Sequence, residues 1–209
     1  MKPFAVISTL LAGAMVLGEA GAALPVKGDM AKGKQIVSQI CFACHGLDGN
    51  GTEPTNPEFP KLAGKQAGYL LKQLNDIKSG RRKDEIMSGI VANLSADDMA
   101  NVAVYFAAQK NKPNKVKNPE LLEFGKKYYS EGNSEVGVPA CYGCHQPDAG
   151  GTDVYPHLAG QHAAYTYKQL KRFSTGEREN DRGLVMQSLS MRMSEAEMKA
   201  VSEYIMSIK

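Results

Sequence analysis

The sequence predicts an all-α protein built from two tandem copies of one small domain, and three observations carry that expectation. The segment FPKLAGKQAGYLLKQLNDIKSGRR (59–82) lies over YPHLAGQHAAYTYKQLKRFSTGER (155–178). It matches Pro60 with Pro156, Leu62-Ala63-Gly64 with Leu158-Ala159-Gly160, and Tyr69 with Tyr165. The pentapeptides CFACH (41–45) and CYGCH (141–145), one in each copy, hold all 4 cysteines of the chain. Finally, neither copy shows a sustained alternation of apolar and polar residues of the kind that strands require.

The elements follow in order. Residues 1–22 read as an export signal: Lys2 supplies the positive start, Phe4 to Leu17 is largely apolar, and Ala20-Gly21-Ala22 offers small residues for cleavage. The run is short for a bilayer span and no basic flank follows it, so a mature soluble chain from Ala23 is expected in the periplasm. The first copy is placed at 23–112 and the second at 119–209. The polar stretch NKPNKVKNPE (111–120), with its two prolines, supplies the linker at 113–118. Asp29 is placed to cap a helix over about 30–40, and Asn118-Pro119 opens its counterpart in the second copy. A further helix per copy is expected over 67–78 and 163–174. Ser95 with Asp98, and Ser194 with Glu197, form capping boxes ahead of the amphipathic last helices. Long glycine-rich loops, 46–60 and 146–156, follow each cysteine pair, and loops of that length in small domains commonly wrap something.

Composition points the same way. Only 7% of the 209 residues are aromatic, and there is no Trp. Domains this small and this poor in large rings bury little core, so an apolar cofactor at the centre would help them fold. The mature first half carries 12 basic and 9 acidic side chains, the second 12 and 12. That mild balance, without a basic stripe interleaved with aromatics, excludes a nucleic-acid binder.

Two thiols two residues apart, closed by an imidazole, suit few chemistries. A zinc site made from both pairs would join ligands 100 residues apart in separate copies. A thioredoxin-like dithiol needs a βαβ setting, and structural disulfides leave His45 and His145 unexplained. Covalent haem attachment accounts for every residue: the thiols of Cys41 and Cys44, and of Cys141 and Cys144, add to the vinyl groups, and His45 and His145 become proximal iron ligands. Each imidazole then needs its second nitrogen hydrogen-bonded. Pro60 and Pro156 or their neighbours are candidates for the carbonyl, or these prolines only turn the loop.

The opposite axial position decides electron transfer against catalysis. Met87 stands seven residues before Leu94-Ser95, and Met186 seven before Met193-Ser194, so the repeat register selects this pair, each expected in a loop before the last helix. Met99 and Met191 are expected as packing residues. His157 and His162 align with Lys61 and Gln66 and are expected in surface or loop roles.

Together these residues resemble the dihaem class I c-type cytochromes of the cytochrome c4 family. The resemblance spans essentially the whole mature chain, and LAGQHAAYTYKQL (158–170) is particularly typical of the family's second domain. It implies two cytochrome c folds about a pseudo-twofold axis, two covalent haem c groups, and axial pairs His45/Met87 and His145/Met186. Two departures are visible: Gln146 replaces the usual glycine after the second motif, and GRRKDEIM (80–87) makes a compact charged lead into Met87. The implied function is a monomeric periplasmic electron carrier, not an enzyme. It would pass electrons from a quinol-oxidising cytochrome complex towards a haem-copper terminal oxidase, with peripheral association at the membrane. Two alternatives stand: the dihaem subunit of a flavocytochrome c sulfide dehydrogenase, and a dihaem peroxidase, which needs one open iron.

Overall fold

The computed structural model describes residues 25–51 and 58–209. The proposed signal segment and the middle of the first glycine-rich loop lie outside the described residues. Among the described residues no helix is long and apolar enough to cross a membrane. There are no strands among them either, only an isolated bridge between Asn133 and Val138.

In the first copy, α1 (Met30–Ile36) is capped by the Asp29 carboxylate, which accepts from the backbone N–H of Ala31 and Lys32. It runs on through a π turn (Val37–Cys41) into α2 (Phe42–His45), so the cysteine pair sits on the helical continuation. Next come α3 (Ala67–Lys78), α4 (Glu85–Val91) and α5 (Ala96–Ala107). The second copy repeats the order with α6 (Leu122–Glu131), α7 (Tyr142–His145), α8 (Ala163–Ser174), α9 (Val185–Ser190) and α10 (Glu195–Ser207). Both predicted capping boxes form in full, Ser95 with Asp98 and Ser194 with Glu197. Asn118 does not cap: Pro119 opens a short 3-10 turn, and the Asn118 amide instead donates to the Glu203 carboxylate at 3.2 Å.

The first and last helices of each copy cross at a glycine. A Cβ on Gly33 would stand 2.2 Å from the Asn101 carbonyl oxygen, and one on Gly125 would stand 2.0 Å from that of Ala200. Only glycine lets α1 meet α5, and α6 meet α10, this closely. Around the crossings lie the cores. Val37, Leu70, Val102 and Phe106 pack in the first copy beside a second group of Ile77, Val91, Leu94 and Met99. Tyr128, Tyr129, Leu170, Met198, Val201 and Ile205 pack in the second.

The copies face each other through the segments that carry the internal repeat. The Gln161 side chain accepts from the Lys61 N–H at 2.8 Å and donates to the Lys61 carbonyl at 3.0 Å. Lys65 Nζ donates to the His157 carbonyl at 2.8 Å, and the Gln66 carboxamide accepts from the His157 N–H at 2.9 Å. His162, expected at the surface or in a loop, is fully buried at this seam, where it is the residue preceding α8 and faces Gly51 of the other copy. His157 keeps a loop position but is half-buried, with Nδ1 2.9 Å from the Gly64 carbonyl oxygen. Both therefore lie in loops, as expected; the burial of His162 was not foreseen, because a comparison of one copy with the other does not register contacts made between them.

Candidate haem-binding centres

Each motif ends in a buried imidazole. His45 is 5% and His145 7% exposed. Nδ1 of His45 lies 3.0 Å from the Pro60 carbonyl oxygen, and Nδ1 of His145 lies 3.1 Å from that of Pro156. A carbonyl only accepts, so Nδ1 carries the proton and Nε2 presents its lone pair, the tautomer a metal needs. Burial lowers the basicity of both rings. The proline carbonyls oppose that shift, as does the Asp84 carboxylate near His45. The prolines therefore do more than turn the loop.

The backbone after each histidine is wound the same way twice. The His45 carbonyl accepts from Gly51 N–H at 2.9 Å, and the His145 carbonyl from Gly151 N–H at 3.0 Å. The Gly49 carbonyl takes the N–H groups of Leu62 and Ala63; the Ala149 carbonyl takes those of Leu158 and Ala159. This brings the Leu-Ala-Gly triplet, with its preceding proline, back over the imidazole. Phe59 and Tyr155 stand tilted against the two rings, with centroids 6.3 and 6.1 Å away.

Among the described residues no disulfide joins any of the four cysteines. Burial pushes the thiols of Cys41 and Cys141 up to about 11, reinforced by the second cysteine of each motif. Among the described residues no group of three or more His, Cys, Asp or Glu side chains is placed to hold a metal ion.

The methionines lie in helices, a correction to the loop placement. Met87 is in the first turn of α4 and Met186 in that of α9. Each backbone N–H donates to an aspartate placed ahead of the helix, Met87 to Asp84 Oδ1 at 3.0 Å and Met186 to Asp181 Oδ2 at 2.6 Å. Both side chains are half-buried against their own domain's core. Met99 is a core residue at 3% exposure, as expected. Met191 is 67% exposed and is not a packing residue.

Two thiols beside an imidazole whose Nε2 is left unprotonated by the Nδ1 hydrogen bond form a donor set that fits haem c. The apolar side chains exposed nearby, Phe42, Ile86 and Ile90 in the first domain and Tyr142 and Val185 in the second, suit a large apolar ring.

The cytochrome c family matches this chain twice, over residues 30–110 and 122–209. Cytochrome c4 of Pseudomonas aeruginosa is 45% identical over 181 residues, covering 85% of this chain and 88% of that protein. The chain belongs to the cytochrome c4 family. The crystal structure of reduced recombinant cytochrome c4 from Pseudomonas stutzeri superposes with a TM-score of 0.82 at 40% identity, covering 88% of this chain and all of that one. A thiosulfate dehydrogenase electron acceptor of Stutzerimonas stutzeri is 34% identical over 91% of this chain and 93% of its own length. As a cytochrome c4 the protein binds two haem c groups covalently, one per domain, and is an electron carrier with redox protein partners, not an enzyme.

Proposed function

We propose that the protein is a periplasmic electron shuttle that takes electrons from a quinol-oxidising cytochrome complex and delivers them towards a haem-copper terminal oxidase. In this reading residues 1–22 direct export, residues 23–112 and 119–209 are the two haem domains, and 113–118 join them. Cys41 and Cys44 anchor one haem, Cys141 and Cys144 the other. His45 and His145 are the proximal ligands, Met87 and Met186 the distal ones. Each haem, when bound, supplies a one-electron ferric/ferrous couple.

The observation that carries the reading is that both domains support the candidate histidine and the candidate methionine in matching ways. The prolyl carbonyls of Pro60 and Pro156 fix which nitrogen each imidazole offers and hold its plane. Asp84 and Asp181 anchor the first turns that carry Met87 and Met186. With His45 and Met87, and His145 and Met186, as ligands, each haem would have no open position, which argues against a peroxidase and for outer-sphere transfer.

A second reading concerns the donor. Similarity to a thiosulfate dehydrogenase electron acceptor favours a sulfur-oxidising dehydrogenase in place of the quinol-oxidising complex, and it bears on a flavocytochrome partner only in the general sense of a sulfur donor. Stopped-flow mixing separates the possibilities. The reduced protein should be oxidised by isolated haem-copper oxidase at a rate that falls as salt rises, because the first domain carries the excess of lysine and arginine. Slow, salt-independent oxidation there, with fast reduction by a thiosulfate or sulfide dehydrogenase and co-purification with it, would overturn the shuttle reading.

A further inference from the structure

One buried amine breaks the symmetry of the seam between the two copies. The repeat sets Lys61 against His157 and Lys65 against Gln161. Gln161 crosses the seam with both ends of its carboxamide, accepting from the Lys61 N–H at 2.8 Å and donating to the Lys61 carbonyl at 3.0 Å. In the opposite direction Lys65 stands where that amide would be. Its ammonium donates to the His157 carbonyl at 2.8 Å, but it has nothing with which to accept, so the neighbouring Gln66 takes the His157 N–H. A neutral amide does the whole task on one side of the seam. On the other, a lysine brings a charge that the packing does not require.

That charge is unfavourable where it stands. Lys65 is 6% exposed and Lys61 1%. Among the described residues Lys65 has no ion pair, and the charged group that acts on it is the ammonium of Lys61, itself bonded to the Lys112 carbonyl. The remaining titratable groups on the surrounding elements are the His157 imidazole, Asp148 and His162 from the second domain, and Lys112, which is paired with Asp48, from the start of the linker. Burial first, and Lys61 second, push the Lys65 amine down to about 7. Burial also lowers the basicity of His157; the Gly64 carbonyl opposes that shift and Lys65 adds to it.

The amine lies where the two histidine-bearing loops cross. Lys61 follows Pro60, whose carbonyl holds His45, and His157 follows Pro156, whose carbonyl holds His145. A haem iron gains one positive charge when it gives up its electron, and an ammonium buried between the two loops holds its proton less firmly against that charge. Linkage runs in both directions: reduction tightens the hold on the proton, and a protonated amine makes each iron easier to reduce.

We infer that Lys65 is a redox-linked proton site: its Nζ takes a proton from water as the haems accept electrons from their donor, and returns it as they are oxidised, with no other bond made or broken. The inference goes beyond the choice of partners and needs only the two covalent haems.

The test uses the intact dihaem protein with nitrogen-15 in the lysine side chains. The Lys65 Nζ resonance, assigned by its loss in Lys65→Gln, should titrate near neutral pH in the oxidised protein and at a higher pH in the reduced one. An ammonium that persists to the ordinary lysine range of about pH 10, or one midpoint for both oxidation states, overturns the proposal. In redox titrations of the parent both midpoint potentials should fall as pH rises through neutrality. Lys65→Gln, which copies the residue already accommodated as Gln161, should flatten that dependence and leave both potentials near the parent's alkaline values. A slope that survives Lys65→Gln, or one that disappears in His157→Gln while Lys65 is present, would move the proton to another group and overturn the assignment.

Discussion

The first and second haem domains make the same bends after their histidines with different residues. Gly46 (φ 71°, ψ 157°) and Gln146 (φ 70°, ψ 157°) share one backbone conformation that is almost reserved for glycine. Three residues on, Gly49 at φ 69° is matched by Ala149 at φ 54°. A Cβ on Gly49 would meet the Phe106 ring at 2.7 Å. The residue in the matching place of α10 is Ile205, whose carbonyl accepts from Gly160 as that of Phe106 accepts from Gly64. The first domain therefore fills this spot with a ring against a hydrogen, and the second with a methyl against a smaller aliphatic chain. The conformation is imposed by the loop closing on the histidine carbonyl, not by the residue that adopts it.

The comparison is broken most severely by removing one cofactor. Cys41→Ser with Cys44→Ser should halve the haem content and cost the first domain its fold, while the second keeps its haem; intact mass and haem-stained gels measure this. Retention of both haems would overturn the attachment assignment. Next in size, Met87→His should lower one wave of a two-wave redox titration and Met186→His mainly the other, within the roughly 0.8 V that axial ligands span. Met99→Leu, at a core position, should leave both waves nearly in place.

Smaller effects sharpen the contrast between the loops. Gly49→Ala should destabilise the first domain by about 1–3 kcal/mol, because the methyl needs the space of Phe106, whereas Ala149→Gly should change the second by under about 1 kcal/mol. Gln146→Gly should stabilise the second domain by about 1 kcal/mol by releasing its backbone strain. Denaturant unfolding, followed domain by domain through the sulfur-to-iron band, measures all three. Equal responses of Gly49→Ala and Ala149→Gly would show that the loops do not differ in packing.

What the sequence disclosed was what is local or repeated. The capping boxes depend on four consecutive residues, and the attachment motif is five residues long, so both could be read directly. The repeat register selects Met87 and Met186 as equivalent positions, yet their helices were not read, since Ser88-Gly89 and the serines at 188 and 190 weaken the helical pattern in already short segments. Asn118 looked like a cap because its true partner, Glu203, lies 85 residues away. The burial of His162 and of Lys65 arises only where one copy meets the other. Aligning the copies shows that Lys65 and Gln161 correspond; it does not show that both reach across the seam.

The segment between the domains is sewn down along its length. Asn111 and Asn114 donate to the carbonyls of Ala159 and Gly160, and the N–H groups of Lys117 and Asn118 both reach the buried Glu203 carboxylate. A chain held in this way is not a tether, and the two redox centres have no need to search for each other by diffusion. Electron exchange inside the molecule should then proceed at the same speed in buffer and in viscous glycerol, leaving only the encounter with outside partners to slow.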